Sequence, residues 1–281
     1  MRLHLPSPLQ QARFDGLSLY IKRDDLIDPD FSGNKARKFA WLLEAPLPHI
    51  REIISHGSAQ SNAMYSLSVL ARMRGWRFRY YVDHIAGYLR SHPHGNYLAA
   101  LQNGMQIVEG KPPEETREDQ LMIEEGGRRR EAAEGIRALA EELKIQLKGE
   151  AVDIFLPSGT GTTAFYLQQY LPWRVYTTPC VGDAAYLQRQ FTTLATDRSR
   201  MPMILESEKK YHFGKLYREF FKIWVELRDQ TDIEFDLLYD PKGWITLLAN
   251  RSRFAHRICY IHQGGIRGNE SMLKRYKRKY G

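Results

Sequence analysis

The 281-residue chain has little cysteine, no long apolar run, no internal repeat and no low-complexity linker, and each absence narrows what it can be. Cys180 and Cys259 are its only cysteines. Two thiols make no disulfide framework, and neither lies in a metal-ligand spacing. A reducing cytoplasm is the expected compartment. No apolar stretch approaches the roughly 18 residues that a membrane span needs. The N-terminus lacks a basic segment followed by an apolar one, so no secretory signal is expected. What is present fits a soluble globular protein of one large or two modest domains: 43% hydrophobic residues, 26% charged residues and a mean hydropathy of −0.50.

Cations exceed anions, with a formal net charge of +8 and an isoelectric point near 9.4. Such a balance raises the question of nucleic acid. Much of the excess is local, in Arg128-Arg129-Arg130 and in the basic end from Lys274 to Lys279. Both runs read as solvated helix faces or tails, with a weak polyanion contact as the alternative. A nucleic-acid surface would interleave aromatic residues with the basic ones, and Tyr276 and Tyr280 are only a token of that. Nucleic acid is therefore not an expected partner.

The pattern alternates between strand and helix. Strands are predicted at residues 17–21, 52–55, 78–82, 105–109, 152–156, 173–178 and 258–262. Helices are predicted at 34–44, 61–74, 97–103, 131–147, 163–170 and 215–230, with Ser61 or Asn62 capping the second. This alternation predicts an α/β architecture with mainly parallel twisted sheets and flanking helices. Ligands in such folds gather at the carboxyl ends of strands. Lys22-Arg23, Gly57, Ser158-Gly159 and His262-Gln263-Gly264-Gly265 all fall just after predicted strands.

Three of these segments could carry chemistry. Ser158-Gly159-Thr160-Gly161-Thr162-Thr163 joins a strand to a helix, where free N–H groups and threonine hydroxyls can hold an anion. It lacks the lysine of a P-loop and the third glycine of a dinucleotide fingerprint, which leaves a single phosphate as the better fit. An ordinary glycine turn capped by threonine reads equally well. Gln60-Ser61-Asn62 follows another strand and could hold a substrate carboxylate, or simply cap a helix. Lys35 follows Ser32-Gly33-Asn34 at a helix start, where burial and the positive helix end favour loss of its proton. Alone it reads as a surface lysine. Tyr239 and His262 alone read as a core ring and a hydrogen-bonded core histidine. The joint occurrence of these segments, in order and at strand ends, points to a phosphorylated aldehyde cofactor. Such a cofactor needs an amine, a phosphate cradle, a donor for its ring hydroxyl and a partner for its ring nitrogen.

The chain resembles the pyridoxal-phosphate family that holds 1-aminocyclopropane-1-carboxylate (ACC) deaminase and D-cysteine desulfhydrase, of the tryptophan-synthase-β-like fold type II. The resemblance runs from Ser7-Pro8 to about Gly265. Lys22-Arg23-Asp24-Asp25-Leu26 and Gly33-Asn34-Lys35-x-Arg37-Lys38 resemble the opening signature, whose lysine forms an imine with the cofactor. Gln60-Ser61-Asn62 resembles the segment whose asparagine meets the ring hydroxyl and whose serine lies by the substrate. Gly95-Asn96 resembles a family pair, and Gly159, Thr160, Gly161, Thr162 and Thr163 resemble the phosphate loop. Asp236-x-x-Tyr239-x-x-Lys242 and Tyr260-x-His262-x-Gly264-Gly265 resemble two closing segments.

The resemblance implies roles. Tyr239 is similar to an active-site tyrosine, Asp240 to the acid that faces the pyridine nitrogen in ACC deaminase, and Tyr217 to a second active-site tyrosine. Ser32, Ala63 and Pro241 depart from the family pattern, so the cofactor half looks intact and the substrate half altered. The implied catalytic residues are Lys35, Tyr239 and Ser61, and the implied substrate contacts are Gln60, Ser61, Tyr217 and Tyr239. The implied enzyme is a cytoplasmic homodimer that deaminates ACC to 2-oxobutanoate and ammonia. β-Elimination of D-cysteine and a non-catalytic pyridoxal-phosphate carrier are the alternatives. Two lobes are expected, residues 46–149 forming the smaller one and residues 1–45 plus 150–281 the larger.

Overall fold

The computed structural model describes residues 3–127, 131–195 and 199–280. The arginine run at 128–130 lies outside the described residues. The chain opens with a hairpin, β1 (Leu9–Phe14) and β2 (Leu17–Arg23), then α1 (Gly33–Glu44), β3 (Glu52–His56), α2 (Asn62–Arg74) and β4 (Arg77–Val82). There follow α3 (Gly87–Ser91), α4 (Gly95–Gln102), β5 (Met105–Glu109), β6 (Gln120–Ile123) and α5 (Ala132–Leu147). Next come β7 (Val152–Ser158), α6 (Thr162–Tyr170), β8 (Val175–Pro179), α7 (Ala184–Leu194) and β9 (Met203–Ile204). The chain closes with α8 (Arg218–Thr231), α9 (Asp240–Ala249), β10 (Arg257–His262) and α10 (Asn269–Tyr280).

The strands form two sheets. One has six strands in the order β1-β2-β10-β7-β8-β9, and the other has four in the order β5-β4-β3-β6. Every pairing is parallel except β1 with β2. That hairpin turns at Asp15-Gly16, both at positive φ (47° and 76°), the geometry that suits the right-handed twist of the flanking strands.

Alternation along the central strands places the core. In β7, Val152, Ile154 and Leu156 pack with α5 and α6, while Phe155 faces the opposite layer of α8 and α9. In β10, Cys259 and Ile261 share the first layer, and Ile258 and Tyr260 the second. Helices on both faces explain why β7 is buried along its whole length. A third cluster wraps the four-stranded sheet, and α1 adds Phe39 and Leu42 to it. Helix α5 instead adds Ile136, Leu139 and Leu143 to the core of the six-stranded sheet.

The structure corrects several boundaries. The helix predicted from residue 215 begins at Arg218, and Lys215, Leu216 and Tyr217 belong to the preceding irregular segment. Strands β1, β6 and β9 and helices α3, α7, α9 and α10 were not predicted. The basic C-terminal end is helix α10, with Tyr276 buried and Lys274, Lys277 and Lys279 exposed.

Candidate active site

The opening signature builds a frame before it builds a site. Lys22 Nζ donates to Ser7 O (2.7 Å), Glu142 Oε2 (2.7 Å) and Gln146 Oε1 (2.8 Å). Arg37 binds Glu142 through both terminal nitrogens and reaches Asp24 Oδ1 at 2.8 Å. Two cations and two carboxylates thus balance in a nearly dry pocket joining β2, α1 and α5. Arg23 pairs with Asp25 through two bonds. His262 is a core histidine: Nδ1 accepts from Gly264 N (3.1 Å) and Nε2 donates to Glu234 O (2.8 Å), while burial lowers its pKa.

Lys35 is placed by the start of α1. Gly33 sits at φ +66°, and a Cβ there would lie 1.9 Å from Gln263 O. Only glycine allows the β10 turn to come this close. Asn34 N donates to Gln263 O (3.0 Å), Asn34 Nδ2 to Gln263 Oε1 (3.1 Å), and Gln263 Nε2 to Pro157 O (2.6 Å). The helix start is thereby pinned to the ends of β10 and β7. Lys35 keeps some accessible surface but sits deep in the molecule. Burial pushes its amine down to about 8, partly opposed by Glu125. Lys38 is also driven down by burial, and its Nζ donates to Gly126 O (3.2 Å).

The phosphate-type turn follows β7. Gly161 caps α6 at φ +74°, and a Cβ there would stand 2.5 Å from Phe191 Cε1. Thr160 and Thr162 hydroxyls share a bond of 3.1 Å. Thr163 Oγ1 is buried without a partner. An orphaned hydroxyl beside the free N–H groups of a helix start has the make-up of an anion cradle, and a single phosphate group suits it. Tyr239 closes one side: its Oη lies 3.5 Å from the position of a Cβ on Gly159.

Asp236 and Asp240 meet under this turn. Asp236 Oδ1 accepts from Leu238 N (2.8 Å) and Tyr239 N (2.5 Å). Asp240 Oδ2 accepts from Asp236 N (2.9 Å), and its Oδ1 accepts from Tyr260 Oη (2.5 Å). Burial raises Asp236 to about 6 and lifts Asp240 well above the carboxylate range, where the neighbouring Asp236 adds to the effect. Asp236 Oδ2 and Asn62 Nδ2 lie 3.4 and 3.5 Å from the point a Cβ of Gly265 would occupy. Asp236 thus faces the predicted ring-hydroxyl donor, whereas both oxygens of Asp240 are taken up inside the protein. Asp236 stood in the recognised segment without a role. Burial holds the Tyr239 hydroxyl protonated far above neutral pH.

The β3–α2 turn supplies the rest. Ser61 Oγ accepts from Ala63 N (3.1 Å) and Met64 N (3.4 Å), so it caps α2. Gln60 is tied to the start of α4, donating to His94 O (3.3 Å) and accepting from Tyr97 N (3.4 Å) and Asn96 Nδ2 (3.1 Å). Tyr217 is not brought to the other predicted residues. It packs on Tyr211 and Phe220, and its hydroxyl accepts from His212 N. Phe213 of the same segment packs against Tyr239 instead, the ring planes tilted by 55° and their centroids 5.1 Å apart. Glu125 was also missed. Its Oε1 comes within 3.0 Å of the point a Cβ of Gly57 would occupy, and Tyr80 Oη within 2.7 Å.

Among the described residues no group of three or more His, Cys, Asp or Glu side chains could hold a metal ion, and no helix is long and apolar enough to cross a membrane.

Known proteins place this geometry. No family model matches the chain. A Thermotoga maritima protein named "Putative 1-aminocyclopropane-1-carboxylate deaminase" is 30% identical, covering 95% of this chain and 97% of that one. An Arabidopsis thaliana protein named as a mitochondrial bifunctional D-cysteine desulfhydrase/1-aminocyclopropane-1-carboxylate deaminase is 42% identical over 64 residues, 21% of this chain and 16% of its own. The crystal structure of an ACC deaminase homologue superposes with a TM-score of 0.83 at 20% identity, covering 99% of this chain and 95% of its own. The fold is therefore tryptophan-synthase-β-like, as the resemblance implied.

Proposed function

The chain belongs to the ACC deaminase and D-cysteine desulfhydrase family of pyridoxal-phosphate-dependent enzymes of fold type II, and from that premise we propose that it binds pyridoxal phosphate at Lys35 and deaminates ACC to 2-oxobutanoate and ammonia. One observation carries the reading: the Glu125–Gly127 turn links a lysine amine lowered to about 8 with the threonine turn, since the field of Glu125 acts on Lys35 and a Cβ on Gly126 would stand 3.0 Å from Thr160 Cγ2, in the turn that holds the orphaned Thr163 hydroxyl.

In this reading Gly159, Thr160, Gly161, Thr162 and Thr163 hold the phosphate, and Asn62 meets the ring hydroxyl. Asp236 would be the acidic group offered to the ring, with Asp240 behind it, bonded to Asp236 N and Tyr260 Oη. Bound there, the group supplies an electron sink for charge left on the substrate carbon. Ser61 and neighbouring N–H groups hold the substrate carboxylate, and the neutral Lys35 amine takes or returns protons. ACC has no α-proton for Lys35 to remove, so ring opening needs a second group. Tyr239 stands beside the cradle with its hydroxyl protonated, which favours it as proton carrier over nucleophile. The same reading makes the enzyme a homodimer whose smaller lobe, expected at residues 46–149, gains α1 and gives up α5 to the core of the larger one.

D-Cysteine is the second reading, favoured by the name of the Arabidopsis relative. Here Lys35 removes the α-proton, and loss of sulfide leads to pyruvate and ammonia. The test is an absorbance spectrum of the purified protein and of Lys35→Ala, followed by assays of ACC for 2-oxobutanoate and of D-cysteine for sulfide. The visible band of lysine-linked pyridoxal phosphate should vanish in the variant, and ACC should give the faster product. A band that survives in Lys35→Ala overturns the lysine assignment, and faster sulfide release overturns the choice of substrate.

A further inference from the structure

We propose that helix α10 braces the amino-acid side of the site, with Arg275 and Tyr276 as positioning residues that hold the Phe213 loop against Tyr239. The inference rests on the reading of Tyr239 and the Gln60–Asn62 turn as groups that meet the amino acid.

Residues 205–217 join β9 to α8 with neither strand nor helix between them. Phe213 packs on Tyr239, and a carbon of the Tyr239 ring stands 3.4 Å from the point that a Cβ of Gly159 would occupy. The loop therefore reaches the phosphate-type turn through one tyrosine ring. Backbone carbonyls in such a segment need donors from elsewhere. Helix α10 supplies them. Arg275 Nη2 donates to Gly214 O (2.7 Å), Lys279 Nζ and Tyr280 Oη to Leu216 O (3.1 and 3.0 Å), and Tyr276 Oη to Tyr217 O (3.3 Å). Two cations of the basic C-terminal run thus serve the loop as donors.

The same helix reaches the other wall. Glu270 Oε2 accepts from Gly95 N (3.2 Å) at the start of α4. Gly95 lies at φ +58°, and a Cβ there would stand 2.3 Å from Ser271 Oγ and 3.3 Å from Gln60 Oε1. Only glycine lets the start of α10, the start of α4 and the Gln60 side chain meet at this point. Glu270 and Arg275 are five residues apart, about 7.5 Å along a helix, so both walls are referenced to one rigid element. That element is seated in the core, where Met272 and Tyr276 cluster with Phe220 and Trp224. Without its donors the loop must be ordered each time an amino acid binds, which weakens the hold on the amino acid. The cofactor is spared, because the turn at Gly161 is held by α6 and Phe191.

The test compares wild-type protein loaded with pyridoxal phosphate with Arg275→Met, which keeps an apolar stem but loses the donors, and with the near-isosteric Tyr276→Phe. Trypsin cleavage after Lys215, an exposed residue between two of the bonded carbonyls, reads the loop directly. Cleavage should quicken about 10-fold in Arg275→Met and about 3-fold in Tyr276→Phe. KM for the faster of ACC and D-cysteine should rise about 5-fold in Arg275→Met and by less in Tyr276→Phe, with turnover number and pyridoxal-phosphate affinity within twofold. Arg275→Lys, which retains a charged donor, should recover most of both effects. Faster cleavage with an unchanged KM overturns the positioning role, and so does a KM rise matched by an equal loss of cofactor affinity. Unchanged cleavage in both variants overturns the brace itself. A wild-type protein that releases product from neither amino acid overturns the reading of the site, and the positioning role with it, whatever the cleavage shows.

Discussion

The two halves of the candidate site are held in different ways. The cofactor half is built from strand ends and helix starts: Thr162, Thr163 and Asp240 are 0%, 4% and 2% exposed, and the lysine helix is pinned to the Gln263 backbone and, through the Gln263 side chain, to Pro157 O. The substrate half is built from loops. Glu125 and Ser58 are exposed, and Phe213 is 44% exposed on an irregular segment between β9 and α8. Backbone geometry recruited by two sheets is difficult to vary, whereas side chains on loops can change with little cost to the fold. The contrast separates the part of the site that the sheets fix from the part that loops can vary.

The largest expected effect attacks the frame of the cofactor half. Replacing Glu142 by Leu keeps the volume but leaves Lys22 and Arg37 without their shared carboxylate in a nearly dry site. The expected loss is about 3–5 kcal/mol of unfolding free energy, measured by urea titration. A loss under about 1 kcal/mol would mean that water reaches the network and that this half is less closed than its packing implies. Next comes Gly161→Ala. The variant must hold a methyl 2.5 Å from the Phe191 ring at φ +74°. Affinity for pyridoxal phosphate should fall about 100-fold, read by equilibrium dialysis, because the turn has to open to make room.

A smaller effect tests the lysine. An amine lowered to about 8 populates its neutral form at lower pH than an ordinary lysine does. Uptake of pyridoxal phosphate by the apoprotein should therefore quicken about 20-fold between roughly pH 6.5 and 8.5 and then level off. A rate that keeps climbing toward the ordinary lysine value near 10.5 would place Lys35 in open water.

The same contrast explains what could be read from the chain. The turn at 158–163 and the Gly33-Asn34-Lys35 start were legible because the local residues themselves demand the backbone path. Pro241 looked like a departure from the family pattern, yet it sits in the first turn of α9, where a missing N–H costs nothing. Glu125 was hidden because its place depends on β6, four residues whose register is set by parallel pairing with β3, some 68 residues earlier at Glu52↔Gln120. No local pattern marks such a strand. Tyr217 was misplaced for a related reason. An aromatic residue in a loop declares burial but not its neighbour, and Tyr211 and Phe220 claim this one.

The smallest expected effect lies at Phe213, where the loop meets Tyr239. The segment is strapped down by the basic C-terminal helix: Arg275 donates to Gly214 O (2.7 Å), Lys279 to Leu216 O (3.1 Å) and Tyr276 Oη to Tyr217 O (3.3 Å). These bonds are backbone-directed, so they should hold the loop whatever side chain stands at 213. Phe213→Ala then removes only one half-exposed ring from the face of Tyr239. KM for the amino acid should rise about 3- to 5-fold, since part of one aromatic contact is lost. Turnover number and pyridoxal-phosphate affinity should stay within twofold, because neither the cradle nor Lys35 touches the ring. A loss of cofactor affinity in Phe213→Ala would show that the two halves are coupled through Tyr239, and that the loop helps to hold the phosphate turn as well as the substrate.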